Sequence, residues 1–196
     1  MTRLLCLILP LACLLAACTG GSNATARTSE TVVGAVDRSL PLQQLPDQRN
    51  DKSPAFALRM ASATAAKGQR VCLPVEATGT DQLIGLQFTM RFDSAALRYH
   101  SFRELSLPQL TLQNFGIRFA ERGVVAMLWT DPTLKGITLP EHSKFFELCF
   151  LNLQEKGQQT EVRITDGPTA MEVVNSDMSQ PRFVYANGTV TSGKPK

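Results

Sequence analysis

The stretch from Leu83 to Leu97, LIGLQFTMRFDSAAL, constrains the fold of this chain more than any other. Large apolar side chains at positions 86, 88, 90 and 92 alternate with polar ones at 87, 89 and 91. Because successive side chains of a β-strand point to opposite faces, the alternation predicts a strand with one buried face. Asp93 and Ser94 then interrupt the pattern. The stretch is therefore predicted to be a half-buried antiparallel strand that runs into a turn, with Leu97 as a separate apolar anchor.

Short segments of the same kind continue from Pro54 to residue 192, and turn residues separate them. They include AFALRM, VCLPVEA, GVVAMLWTD, FFELCFLNLQ and TEVRIT. Their spacing of about ten residues, almost without helical periodicity, is typical of an all-β sandwich. Hydrophobic residues make up 43% of the chain, which is enough for a sizeable core. Pro74 inside VCLPVEA indicates a sheet edge or a nearby bulge at that point.

The N-terminus has the features of an export signal. Arg3 supplies a positive charge, residues 4–15 are an apolar stretch too short to span a bilayer comfortably, and Leu-Ala-Ala-Cys18 follows. An ordinary secretory signal is the alternative. The four residues resemble the bacterial lipobox, which implies a diacylated Cys18 at the start of the mature protein. Thr19 after the cysteine, by resemblance to Gram-negative sorting rules, favours the outer membrane.

The composition predicts four regions along the chain. Residues 1–17 are the lipoprotein signal peptide, and residues 18–53, rich in Ser, Thr, Gly, Gln, Asp and Pro, are the lipidated N-terminus and a flexible linker. Residues 54–192 are the folded β-sandwich domain, and residues 193–196 are a disordered tail. The formal net charge is +3 without any run of Lys or Arg, which argues against nucleic acid as a partner.

No pattern in the sequence provides the machinery of an enzyme. Paired carboxylates, a nucleophile with an oriented base, and a glycine-rich phosphate loop are all missing from the sequence. His100 and His142 are isolated, so a zinc site lacks ligands. Asp93, Asp131 and Asp166 each end a predicted strand, where short acceptors commonly form turns; calcium at these loops is the alternative. We predict no catalytic residue, no cofactor and no metal.

Residues 55–191 resemble a cohesin domain, the β-sandwich module of bacterial cellulosomes. The matching pieces, in order, are KGQ with VCLPVEA, LIGLQFTMRFDSAAL, GVVAMLWTDP, FFELCFLNL and NGTV. The resemblance implies a jelly-roll sandwich of about nine strands and a non-catalytic binding module. It further implies a docking face for a dockerin-like domain on the strands that match residues 86–91, 111–119, 124–129 and 162–165.

Two cysteines, Cys72 and Cys149, remain in the predicted domain. They fall on the outward phase of their strands if the flanking apolar residues Val71, Leu73, Leu148 and Phe150 face the core. The cohesin-like topology makes these two strands neighbours, which allows a cross-strand disulfide in an oxidising compartment. Two unrelated buried thiols are the alternative.

The predicted partner-binding face combines polar and apolar residues of two strands that the resemblance makes neighbours. These residues are Gln87, Thr89, Arg91, Val124, Ala126 and Leu128. A polar rim beside an apolar centre suits a protein interface. An ordinary solvated face is the alternative for the polar residues, and a covering loop or helix of this chain is the alternative for the apolar ones.

We therefore predict a lipid-anchored envelope module that captures a dockerin-like domain or another envelope protein. Two alternatives remain open at this point. One is a polysaccharide-binding lipoprotein that uses Trp129, Tyr99 or Tyr185, although the aromatic content is only 7% and Trp129 shares the inward phase of Val125 and Met127. The other is a structural subunit of a secretion or pilus assembly.

Overall fold

The computed structural model describes residues 30–45 and 55–194, and these residues form fourteen β-strands. The strands are β1 (Val32–Val33), β2 (Gln43–Gln44), β3 (Ala55–Met60), β4 (Ala63–Ala65), β5 (Arg70–Thr78), β6 (Leu83–Arg91), β7 (Leu97–Arg103), β8 (Phe115–Gly116), β9 (Val124–Thr130), β10 (Ser143–Asn152), β11 (Gln159–Thr165), β12 (Glu172–Asn175), β13 (Arg182–Ala186) and β14 (Gly188–Ser192). Single 3-10 turns occupy Leu112–Asn114 and Ala120–Arg122. No helix in the described part of the chain is long and apolar enough to cross a membrane.

The strands form two seven-stranded sheets. The first sheet has the order β2-β13-β3-β5-β10-β7, with β1 also paired to β5; the second has the order β4-β14-β11-β6-β9-β8, with β12 also paired to β6. Most neighbours are antiparallel, while β1–β5, β3–β13 and β4–β14 are parallel pairs. The predicted all-β sandwich is confirmed. Four of the fourteen strands, β1, β2, β4 and β8, are pieces of two or three residues. The ten longer strands are close to the number of about nine that was expected.

The core lies between the sheets and takes the side chains that the alternation assigns to it. Leu86, Phe88, Met90 and Phe92 are all buried, as predicted. Phe88 of the second sheet stacks on Phe146 of the first with ring centroids 6.5 Å apart. Each large apolar side chain that is buried in this way contributes about 1.5–3 kcal/mol to folding.

Trp129 belongs to this core. The side chain is 1% exposed, and its indole nitrogen donates a hydrogen bond to the carbonyl of Pro108 at 2.8 Å. The prediction that Trp129 packs inward with its strand neighbours is therefore confirmed.

The N-terminal segment differs from the predicted flexible linker. Within residues 30–45, β1 adds to β5 and β2 adds to β13, so this part of the chain extends the first sheet. Arg38 binds the carboxylate of Glu76 at 3.0 Å, and Arg59 donates to the carbonyl of Leu40 at 2.7 Å. Composition alone missed this segment because backbone pairing and a few apolar contacts hold it, without a hydrophobic period.

Other predictions about the chain ends fall outside the described residues. These are the signal peptide over residues 1–17, the lipidated Cys18, the linker residues 19–29 and 46–53, and residues 195–196 of the tail. They stay predictions.

Pro74 lies on a central strand, not at a sheet edge. The nearby bulge that was the other prediction is present, as the register of the neighbouring β10 shifts between Lys144 and Phe146, opposite this part of β5. The Pro74 carbonyl accepts a hydrogen bond from the Ala61 amide at 2.8 Å, so its nitrogen, which has no hydrogen, points to the same side of β5. On that side β3 pairs with β5 up to Val75, and β1 takes over at Cys72. The proline therefore lies where one partner strand is replaced by another.

Candidate functional site

All six residues of the predicted partner-binding face point away from the core on the second sheet, and five of them reach its surface. Strand β6 lies between β9 on one side and β11 with β12 on the other. The register places three cross-strand pairs directly opposite each other: Gln87 with Leu128, Thr89 with Ala126, and Arg91 with Val124. We call the surface of these six residues the β6–β9 face.

Leu128 is the most exposed apolar residue of the β6–β9 face. Its side chain is 53% exposed, whereas Val124 and Ala126 on the same strand are half-buried. Directly opposite pairs on one sheet face have neighbouring side chains, so Leu128 is flanked by Gln87. No covering element of the described chain removes Leu128 from solvent.

Thr89 is a correction to the predicted face. Its side chain is 0% exposed, because the connection between β11 and β12 crosses over it. The Thr89 hydroxyl donates to the carbonyl of Thr169 at 2.9 Å and accepts from the amide of the same residue at 2.9 Å. Thr89 therefore holds a loop of its own chain and cannot contact a partner.

The two other polar residues of the face are engaged as well, Arg91 by this connection and Gln87 by strand β12. Arg91 is exposed and donates through Nε to the carbonyl of Gly167 at 3.2 Å. Gln87 is half-buried, and its amide donates to the carboxylate of Glu172 at 3.2 Å. The open part of the β6–β9 face is thus an apolar strip along β9. The polar residues of β6 border this strip and already form hydrogen bonds within the chain.

Three exposed apolar residues beside the face fall within residues 111–119, which the resemblance assigned to the docking face without singling out any of the three. Leu112, Ile117 and Phe119 lie in the chain around β8, the edge strand next to β9. The Asn114 side-chain amide donates to the Leu128 carbonyl at 2.9 Å and so fixes the 3-10 turn beside the apolar strip. Only two residues here are in a strand, so alternation gives no signal that could assign their side chains to a face.

A small depression opens on the β6–β9 face at Gly85. Its volume is about 140 Å³, and its walls include Leu128 and Thr130 on one side and Val174 on the other, with Glu172 at the rim. The missing side chain of Gly85 makes this space. A cavity of about 150 Å³ holds one benzene molecule, so the depression can take one apolar side chain of a partner.

The two cysteines of the domain are joined in a disulfide. Cys72 and Cys149 lie directly opposite each other on β5 and β10, with their Cα atoms 4.0 Å apart and the sulfur atoms at 2.07 Å. Both are buried although they face away from the core. A carboxylate oxygen of Glu147 lies within 4.8 Å of both sulfur atoms. Cys72, Cys149 and Glu147 are the one group of three potential metal ligands among the described residues. The disulfide uses both of its thiols.

Glu147 lies beside this disulfide on the first sheet and is itself buried. Arg103 binds its carboxylate at 2.9 Å and Lys144 binds it at 3.1 Å. A buried carboxylate is tolerated when cations compensate its charge, and these two side chains provide that compensation. This group is therefore structural, and it lies on the sheet opposite the β6–β9 face.

The three aspartates at strand ends form turns, as predicted. Asp93 accepts from the Ala95 amide at 2.9 Å, and Asp166 accepts from the Met171 amide. Asp131 accepts from the Thr133 amide at 2.9 Å and from the Gly136 amide at 3.0 Å. The Thr133 amide is the main cause that lowers the pKa of Asp131 below its ordinary value.

The chain folds as a two-sheet β-sandwich with an open apolar strip on the second sheet. A family model for the cohesin domain matches residues 56–191. The chain belongs to the cohesin family, whose members are non-catalytic protein-binding modules. The family predicted from the order of the strands is confirmed.

Solved structures of cohesins share this fold. A type I cohesin–dockerin complex from Clostridium thermocellum matches with a TM-score of 0.61 at 14% identity, over 71% of this chain and 99% of that one. The sixth cohesin of scaffoldin B from Acetivibrio cellulolyticus, in complex with a Cel5 dockerin, matches with a TM-score of 0.59 at 22% identity, over 71% and 98%. A non-cellulosomal cohesin from the archaeon Archaeoglobus fulgidus matches with a TM-score of 0.56 at 18% identity, over 71% and 91%. No curated protein sequence matches the chain.

Proposed function

We propose that this protein captures a partner protein through the β6–β9 face and holds it at the cell envelope through lipid on Cys18. The observation that carries the proposal is the 53% exposure of Leu128 at the edge of the depression at Gly85. An apolar anchor beside a pocket, with polar residues around it, is the arrangement that concentrates binding energy in protein interfaces.

The relatives support a folded domain as the partner. Two of the similar structures are complexes of a cohesin with a dockerin. A dockerin-like domain is thus the first candidate for this chain, and another envelope protein is the second. A subunit of a secretion or pilus assembly would use the same face, and the identity of the captured protein would distinguish these cases.

The three aromatic residues named above for polysaccharide binding support a protein partner instead. Sugar binding requires open aromatic platforms, yet Trp129 is in the core and Tyr99 and Tyr185 are half-buried. Both tyrosines belong to strands of the first sheet, away from the β6–β9 face.

The proposed lipid anchor rests on the lipobox-like LAAC sequence. It would leave only a short length of chain between the lipid and the folded domain. Since residues 30–45 pack on the first sheet, only the residues between Cys18 and Glu30 separate the lipid from the domain. These twelve steps of the chain span at most about 40 Å when fully extended. The captured partner would therefore be held close to the lipid surface.

Affinity capture from an envelope extract tests the docking face. The immobilised bait is residues 19–196, which retain every described residue, and the test variant combines Arg91→Glu with Leu128→Asp. Both side chains are exposed, so the variant is expected to fold like the wild type while losing the captured protein. Leu40→Asp is the matched control, because Leu40 is an exposed leucine on the segment that packs against the first sheet. A partner that the double variant retains in full would reject this face.

A further inference from the structure

Arginine side chains gather at one end of the second sheet. Arg91 of β6 and Arg163 of β11 lie directly opposite each other, and Arg91 has Val124 of β9 as its neighbour on the other side. Both arginines are exposed, since Met90, Phe92 and the residues flanking Arg163 occupy the inward positions. Two like charges directly opposite each other on a sheet face repel, and an anionic partner would relieve that repulsion.

Two further arginines extend this group beyond the start of β9. The Phe92 amide donates to the Gly123 carbonyl at 2.9 Å, which places Arg122 beside the end of β6. Arg118 and Arg122 lie over the ring of Phe119, with their guanidinium carbons 5.6 and 5.7 Å from its centroid. None of the four arginines forms a salt bridge with an acid anywhere in residues 30–45 or 55–194.

Exposed apolar side chains lie among these charges. Ile117 is 49% exposed and Phe119 is 44% exposed, and they alternate with Arg118 in the chain that leaves β8. Glu121 and Glu161 are acids close by in the sequence, and Glu161 accepts a hydrogen bond from Asn187 at 3.0 Å. We call Arg91, Ile117, Arg118, Phe119, Arg122 and Arg163 the basic corner. Arginine with aromatic and aliphatic side chains is the composition of surfaces that lie in a membrane interface.

The basic corner lies at the end of the sandwich where the described chain begins. Gln69, just before β5, donates through its side chain to the Glu30 carbonyl at 3.0 Å, and its own carbonyl accepts from the Asn152 amide at 3.0 Å. The amide of the next residue after Asn152 donates to the Ala96 carbonyl at 2.9 Å, in the turn that follows β6. Glu30 and the C-terminal end of β6, with Arg91, are therefore at the same end of the molecule.

We propose that the basic corner rests on an anionic phospholipid surface, with its arginines at the headgroups and with Ile117 and Phe119 at the boundary to the acyl chains. The chain that leads to Cys18 leaves from the same end, so a lipid anchor there would bring this end towards the bilayer. Cations next to an anionic leaflet are attracted within a Debye length of it. The contact would orient the sandwich. Arg91 belongs both to the basic corner and to the β6–β9 face. The lipid contact is therefore separated from partner capture by variants at Leu128 on one side and at Arg118 and Arg122 on the other.

Co-sedimentation with vesicles tests the proposal on residues 19–196, which carry no lipid and retain every described residue. We expect binding to vesicles of phosphatidylglycerol and phosphatidylcholine, and not to vesicles of phosphatidylcholine alone. Binding is expected to disappear at about 1 M salt, where the Debye length is about 3 Å. Arg122→Gln is expected to weaken binding about fivefold, and Arg118→Gln with Arg122→Gln about 25-fold. Lys135→Gln, which removes one exposed charge after β9, is the control and is expected to change nothing.

Three results would overturn the proposal: equal binding to neutral vesicles, no binding to either kind, or full binding by the double arginine variant. If the protein does not bind anionic vesicles but is retained on immobilised polyglutamate, the lipid contact is rejected and the basic corner binds an acidic protein instead. Leu128→Asp is expected to leave vesicle binding unchanged, so a failure here and a failure of partner capture are separable. The unfolding midpoints of Arg118→Gln and of Arg122→Gln are measured separately. Midpoints equal to that of the wild type would show that weaker vesicle binding does not result from unfolding.

Discussion

At the scale of single residues, Gly123 determines how β9 begins beside β6. Its φ of 74° is in the left-handed region, and a Cβ atom there would come within 1.9 Å of the Phe92 carbonyl oxygen. That oxygen belongs to the backbone, so it cannot move aside without shifting the end of β6. Any larger residue would therefore meet both a conformational and a steric penalty.

Gly123→Ala is expected to lower the free energy of unfolding by about 3 kcal/mol, as measured by urea denaturation. The control is Gly157→Ala, because Gly157 also has a positive φ of 88° but no atom within 4 Å of a new Cβ. The control is expected to cost only about 1 kcal/mol, the penalty of the left-handed conformation. Equal losses in the two variants would contradict the close approach at Phe92.

Asp131 provides a pH-dependent contribution to stability. Hydrogen bonds to its carboxylate, the Thr133 amide first among them, lower its pKa in the folded state. The stabilisation is therefore present above the unfolded pKa of about 3.9 and is lost as the pH falls through the lower folded pKa. We expect the difference in unfolding free energy between wild type and Asp131→Asn to be largest near neutral pH and to shrink in acid. A difference that stays constant from neutral pH into acid would contradict this role.

At the scale of elements, the sequence predicted what local periodicity controls. The alternation in β6 assigned Leu86, Phe88, Met90 and Phe92 to the core, and the inward phase of β9 assigned Trp129 there. Thr89 could not be assigned in this way, because its burial depends on a connection eighty residues further along the chain. Alternation says which way a side chain points, but not what else covers that side.

Alternation could not assign the side chains of two irregular segments for a related reason. Residues 30–45 join the first sheet through short backbone pairings at β1 and β2, and neither piece is long enough to show an apolar period. The chain around β8 exposes Ile117 and Phe119 without any alternation. Residues 30–45 were visible in the sequence only as a composition, which predicts a linker. Residues 111–119 entered the predicted docking face through the resemblance alone.

The disulfide between β5 and β10 is expected to be a major source of stability. It joins residues 77 positions apart, for which loop-closure entropy gives about 4.5 kcal/mol. We expect a reducing agent to lower the urea midpoint of the wild type strongly. Cys72→Ala with Cys149→Ala is expected to unfold at a lower urea concentration than the oxidised wild type and not to respond to the reductant. A wild type that is insensitive to complete reduction would contradict this contribution.

At the scale of the whole molecule, the two sheets have different tasks. The first sheet carries the disulfide, the buried Glu147 and the N-terminal segment, all of which stabilise or connect the domain. The second sheet presents the β6–β9 face, with Leu128 open to solvent. Membership of the cohesin family agrees with this division, because the family binds proteins and does not catalyse reactions.

Site-specific photo-crosslinking in living cells tests the central claim of partner capture most directly. A photo-reactive phenylalanine analogue is introduced in place of Leu128 in one strain and in place of Leu40 in another. Both positions are exposed, but only Leu128 belongs to the β6–β9 face. We expect irradiation to produce a discrete adduct with another protein from position 128 and none from position 40. An adduct from position 40 alone would place the interface on the first sheet and contradict the account.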